Sequence, residues 1–173
     1  MSSVAELEDS EEPRCSARVL LVDGRDRVLL YKSVVTAPDS EHETLWNTVG
    51  GGVEPGETTA EAAARELREE TGLSVPADVL GSIVATTAGA ADLGVVRGVF
   101  RDDFFFYRVA AHEVDTSGFE ALEASTFVSH AWWSVAELEA TTEWVVPNGL
   151  AALLRELVTG RVPDTPVELP WHH

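Results

Sequence analysis

Three glutamates, Glu66, Glu69 and Glu70, fall within five residues of the stretch RELREETGL, residues 65–73. At about 100° per residue on a helix they share one arc roughly 100° wide. Like charges four residues apart on a helix repel each other by roughly 0.2–0.5 kcal/mol per pair. Either solvent absorbs that repulsion or a bound cation removes it. Hard divalent cations such as Mg²⁺ or Mn²⁺ take oxygen ligands, and carboxylates on adjacent turns of one helix supply them. A solvated acidic face is the other reading, and the helix alone does not decide between them. A second arc, holding Ala60, Ala63, Ala64, Leu67 and Thr71, suits packing on a sheet. The carboxylate arc borders that apolar arc, which puts the acids at the edge of a cleft. Arg65 stands four residues before Glu69, the spacing of an ion pair.

The preceding loop favours the cation. GGGVEPGE, residues 50–57, places glycines and a proline directly before the helix. Glycine permits positive φ and lets backbone approach a ligand closely, so Gly50, Gly51 and Gly52 are candidates to shape a substrate loop. No Gly-Lys-Ser or Gly-Lys-Thr follows, so this is not a Walker-type phosphate loop.

Gly51, five residues, Glu57, seven residues, Arg65-Glu66-Leu67, one residue, Glu69-Glu70, one residue and Gly72-Leu73 reproduce the signature of the Nudix hydrolases, G-x5-E-x7-R-E-U-x-E-E-x-G-U with U aliphatic. On this stretch the chain resembles that family, and WWSVAEL at 132–138 is similar too. The resemblance implies an α/β fold, a Nudix-type α/β/α sandwich with a mixed β-sheet in which the signature forms a loop–helix–loop. It implies a pyrophosphohydrolase that cleaves a nucleoside di- or triphosphate derivative with Mg²⁺ or Mn²⁺, by attack of a metal-activated water. By position Glu66, Glu69 and Glu70 match the metal-binding glutamates, with Glu69 or Glu70 as general base. Arg65 matches the arginine that orients one of them, and Glu57 a loop-shaping residue. Val49 stands where the family often has proline before the glycine pair, a departure in the approach strand and not in the metal ligands. Many members add a metal-binding glutamate beyond the signature; Glu113, Glu120 and Glu123 are the candidates, and Glu123, which leads to HAWW, is preferred.

Substrate choice depends on residues outside the signature. The marks of the ADP-ribose, diadenosine-polyphosphate, NADH and coenzyme A subgroups are absent, which leaves a nucleoside triphosphate or simple nucleotide derivative by elimination. Trp46, Phe104, Phe106 and Trp132 are candidates to stack on a base, with Trp46 taken as the substrate-binding one; ordinary core is the competing role for each. His42 and His130 lie in segments that can line the cleft, without metal-ligand spacing. A non-catalytic nucleotide-binding or regulatory module with the same fold is the alternative function. Degraded acidic positions would favour it, and none is degraded. An isoprenoid-diphosphate isomerase would need a cysteine in the cleft, and the single cysteine, Cys15, precedes the first expected strand.

Thirty acidic against twelve basic residues give a net charge of −18. That balance opposes a nucleic-acid polymer or an anionic membrane surface as partner, both of which reward clustered Lys and Arg, and leaves a small-molecule nucleotide held through metal ions. One cysteine excludes an intramolecular disulfide and fits a reducing, cytoplasmic location. The N-terminal residues lack the basic start and apolar run of a signal peptide. A homodimer stays open.

The elements that must position these residues follow from pattern. The acidic stretch 1–14 is expected to be mobile, residues 15–160 to form one domain, and 161–173, with three prolines and no helical period, a tail. Strands are expected at 17–22 and 27–33 around the turn DGRD, at 45–49 ending in the glycines, at 80–87 and at 95–110. Helices are expected at 58–71, with a Thr58/Glu61 capping box and Gly72 as C-cap, and at 134–140 and 148–158.

Overall fold

A computed structural model describes residues 12–37, 39–92 and 97–172, with the backbone alone at Ala121 and Leu122. Seven strands form one mixed sheet: β1 (Arg14–Val22), β2 (Val28–Val34), β3 (Thr44–Gly52), β4 (Ala85–Asp92), β5 (Arg97–Arg108), β6 (Phe127–Trp133) and β7 (Val167–Glu168). The spatial order is β6-β2-β3-β1-β5-β4-β7. β1 runs parallel to β5, and β4 to β7; the other neighbours are antiparallel. The helices are α1 (Thr59–Thr71), α2 (Ala121–Thr126), α3 (Val135–Ala140) and α4 (Leu150–Val158).

Strand alternation gives the sheet two apolar faces. Ala17, Val19 and Leu21 of β1 pack with Ala62, Ala63 and Leu67 of α1 on one face. Leu20 and Val22 pack with Leu150, Leu153, Leu154 and Leu157 of α4 on the other. Those four leucines, spaced i, i+3, i+4, i+7, are buried, each worth about 1.5–3 kcal/mol relative to exposure. Phe104 and Phe105, neighbours on β5, go one to each face, as expected of a strand apolar on both sides. The layers are therefore helix, mixed sheet, helix.

Several expectations shift. β1 begins at Arg14, so Cys15 lies within it, exposed; residues 1–11 of the stretch expected to be mobile lie outside the described residues. β3 continues through the glycines, because Gly50, Gly51 and Gly52 pair with Arg18, Ala17 and Ser16 of β1. Residues 77–80 form a 3₁₀ turn after Pro76, and the strand expected from 80 starts at Ala85. Residues 161–172 do not trail: Val167 and Glu168 pair with Ala85 and Thr86 on the outer edge of β4. Their prolines hide this from a periodicity reading. Among the described residues no helix is long and apolar enough to cross a membrane.

Candidate active site

The acids are held by a helix whose two ends are fixed locally. Thr58 accepts from the Glu61 N–H at 3.2 Å, and the Glu61 carboxylate accepts from the Thr58 N–H at 2.8 Å, closing both halves of the capping box. Gly72 ends the helix in the left-handed conformation, φ 78°, with its N–H on the Arg68 carbonyl. Between these ends the apolar arc lies on the sheet, and Glu66 and Glu70 beside it are only 4% and 7% exposed. Glu69 is half-buried.

The glycines of β3 let the sheet approach this helix. A Cβ at Gly51 would sit 2.5 Å from Oε1 of Glu66. Gly50, at φ +140°, donates its N–H to Oε2 of Glu70 at 2.9 Å. Arg65 ties the loop down. Its Nε and Nη2 donate to the two Glu57 oxygens at 2.8 and 3.0 Å, Nη2 also to the Gly52 carbonyl at 2.9 Å, and Nη1 to Glu66 at 2.8 Å and Glu69 at 3.3 Å. A planar guanidinium fork makes such a fan possible; an ammonium does not. The hydrogen bonds from Arg65 hold the Glu57 carboxyl below its ordinary range.

Glu123 arrives from α2. One oxygen each from Glu66, Glu70 and Glu123 lie within 4.8 Å of one another. The Oε2 atom of Glu66 is buried without a hydrogen-bond partner, a costly state for a carboxylate. Burial pushes the Glu66 carboxyl up, the Arg65 hydrogen bond only partly offsetting it, and Glu123 and Glu69 push the same way. Burial raises Glu70 well above the carboxylate range despite the Gly50 N–H, and Glu66 adds to the rise. Three converging carboxylates, one of which carries an orphaned oxygen, fit a hard divalent cation. Glu69 stays with Arg65, outside that cluster. Of the other candidates beyond the signature, Glu113 is exposed, and Glu120 caps α2, donating its N–H to the Glu123 carboxylate at 3.1 Å.

Trp46, expected to bind substrate, lies in the core. Its ring packs edge-on against Trp133 at 5.0 Å, its N–H donates to Glu143 and Lys32 lies over its face. It is 7% exposed, within the core. Phe104 is also core, with Phe106 partly buried against the same cluster, and Trp132 is partly buried against the cluster on the other face of the sheet. His42 stacks on Trp144 at 4.8 Å, and His130 stands exposed against the Tyr31 ring.

Two residues of the site carry no local signal in the sequence. The Tyr31 hydroxyl donates to the Glu70 carbonyl at 2.8 Å. Arg18 donates from Nη1 to the carbonyls of Gly50 and Thr48, at 3.0 and 3.3 Å, and its Nε lies 3.8 Å from Asp102. Beside Arg18 opens a cavity of about 280 Å³ lined by Ser16, Asn47, Phe100, Asp102 and Trp171 among others.

The family description of the NUDIX domain matches residues 12–157. The chain belongs to the Nudix hydrolase family. An RNA pyrophosphohydrolase of Erythrobacter litoralis is 40% identical over 80 residues, covering 46% of this chain and 46% of that protein. A putative mutator protein MutT4 of Mycobacterium tuberculosis is 29% identical over 161 residues, 90% of this chain and 60% of that one. The chain thus spans about half the length of these curated relatives. The solved MutT protein of Methanosarcina mazei shares the Nudix fold, with a TM-score of 0.62 at 20% identity, over 88% of this chain and 99% of that one.

Proposed function

We propose that this Nudix chain is a divalent-metal-dependent pyrophosphohydrolase of a nucleoside di- or triphosphate derivative. The observation that carries this reading is the convergence of Glu66, Glu70 and Glu123, with the buried Glu66 oxygen lacking any partner. Those residues, with Glu69 at the margin, would hold Mg²⁺ or Mn²⁺. When bound, such an ion neutralises charge on the pyrophosphate oxygens and makes the attacking water easier to ionise. Gly50 to Gly52 shape the backbone against which the phosphates lie, and Arg65 keeps Glu57, Glu66 and Glu69 in register. Glu69 or Glu70 takes the proton of water as its oxygen bonds to phosphorus; the bridging P–O bond breaks and its electron pair leaves on the departing phosphate.

The Erythrobacter relative is named for action on RNA. A 5′-triphosphate end on RNA and a free nucleotide share a nucleoside carrying a phosphate chain. The net charge of −18 favours the free nucleotide here. The deciding experiment is a panel of nucleotides plus a 5′-triphosphorylated oligoribonucleotide, with and without Mg²⁺ or Mn²⁺, products identified. Metal-dependent release of phosphate or pyrophosphate is expected from a nucleotide. Tight binding without turnover of any member would favour the regulatory module instead.

A further inference from the structure

The C-terminal segment is built onto the sheet with more contacts than a two-residue strand requires. The Thr87 hydroxyl bonds the carbonyls of Leu169 and Pro170, at 3.0 and 3.2 Å. The Trp171 indole lies directly on Gly89, where an added Cβ would sit 2.3 Å from the ring. Its N–H donates to the Ala90 carbonyl at 2.9 Å, and Asn148 donates to the Trp171 carbonyl at 3.3 Å. The position of that indole is therefore fixed by β4 and by the loop before α4.

The docking has a spatial consequence. Trp171 and His172 line the 280 Å³ cavity together with Arg18 and Asp102. His172 is shared with a second cavity of about 380 Å³ that includes the His42–Trp144 stack. Arg18 connects the first cavity to the acids, since it bonds the Gly50 carbonyl while the Gly50 N–H bonds Glu70. A nucleotide with its phosphates over the glycines has its base within reach of this cavity. Its lining offers an aromatic face, Phe100, and a mostly buried carboxylate, Asp102. The NUDIX match ends at residue 157, so the C-terminal wall lies outside the part this chain shares with the family description.

We propose that the C-terminal segment is a specificity-determining element: Trp171 and His172 wall a pocket for the nucleotide base, a planar heteroaromatic group whose N–H edge faces Asp102. This rests on the nucleotide reading above. Aromatic walls hold bases by stacking, while a carboxylate selects edges that present N–H donors.

The test measures equilibrium binding of four nucleoside monophosphates and turnover of the matching triphosphates. The proteins are the parent, Trp171→Ala, Gly89→Ala and Trp171→Phe. Gly89 has no positive φ, so alanine there displaces the indole without straining β4. Trp171→Ala and Gly89→Ala should each weaken binding of the preferred monophosphate by about tenfold and flatten the preference among bases. Trp171→Phe should recover most of both. Parent-like affinities and ranking in the first two variants would overturn the wall, whatever the turnover. Base-selective binding that these variants flatten, without turnover by the parent, would support the wall and refute the hydrolase reading. A parent that binds no monophosphate would overturn the wall too.

Discussion

The hydroxyl of Tyr31 on β2 donates to the main-chain oxygen of Glu70 at 2.8 Å, across 39 residues of chain. The ring also meets Phe119 and Phe127 edge-on, at 5.7 and 5.8 Å, on either side of the short helix that carries Glu123. One side chain thereby fixes the last turn of α1 relative to α2, and with it the spacing of Glu70 and Glu123. Tyr31→Phe keeps the ring contacts and loses one buried hydrogen bond, about 1 kcal/mol. Its melting temperature should fall by about 2–4 °C, and its apparent affinity for Mg²⁺ should weaken. An unchanged metal titration would show that the bond does not set the carboxylate spacing.

Glu70 illustrates a conflict between stability and site. Burial lifts its folded carboxyl pKa above the unfolded value. Such a group favours folding fully below the ordinary glutamate range, and that contribution is lost as pH rises through the raised value. Without divalent ions near pH 8, Glu70 is a cost. Glutamine is uncharged and can still accept from the Gly50 N–H. Glu70→Gln should therefore melt above the parent in EDTA at about pH 8, with the gap closing towards about pH 5. Excess Mg²⁺ should stabilise the parent more than the variant. Thermal melts across pH, with and without metal, check both signs.

Turnover should respond differently from stability. Glu69→Gln and Glu70→Gln are each expected to slow hydrolysis by at least ~10², the scale of lost acid–base help, while far-ultraviolet circular dichroism stays unchanged. Near-normal rates in both would remove these residues from the chemistry.

Gly51 tests the cradle without touching an acid. Alanine there brings a methyl 2.5 Å from Oε1 of Glu66, so the carboxylate must move. Gly51→Ala should fold, bind Mg²⁺ more weakly and lose about 10² in turnover, the scale of an ångström-sized displacement. Wild-type metal affinity would refute the close approach.

Arg65→Lys asks whether the fork or only the charge matters. Lysine cannot reproduce the two-point grip on Glu57 together with the contacts to Gly52, Glu66 and Glu69. Turnover should drop at least tenfold. A double-mutant cycle with Glu57→Gln should show strong coupling, because either change breaks the same grip. Additive effects would mean that the two side chains act independently.

The legible parts of the fold were those governed by short-range rules. The ends of α1 depend on Thr58, Glu61 and Gly72, all local to the helix, and the leucine spacing of α4 declares its buried face. The glycines read as a turn because their strand character comes from pairing with β1, more than thirty residues earlier. Arg18 and Tyr31 were missed for the same reason: each acts through a backbone carbonyl 32 to 39 residues away, and a carbonyl has no sequence signature. Trp46 is a candidate only as an aromatic able to stack on a base, and its partners, Trp133 and Glu143, come from the far end of the chain.

The docked C-terminal segment has a further effect on how the molecule behaves among its own copies. By taking up the carbonyls of Val84, Thr86 and Ala90, it occupies a sheet border that would otherwise be open to strand pairing. Cutting the chain ahead of residue 161 would bare that border, so a shortened protein should cloud and precipitate at concentrations where the intact one stays clear.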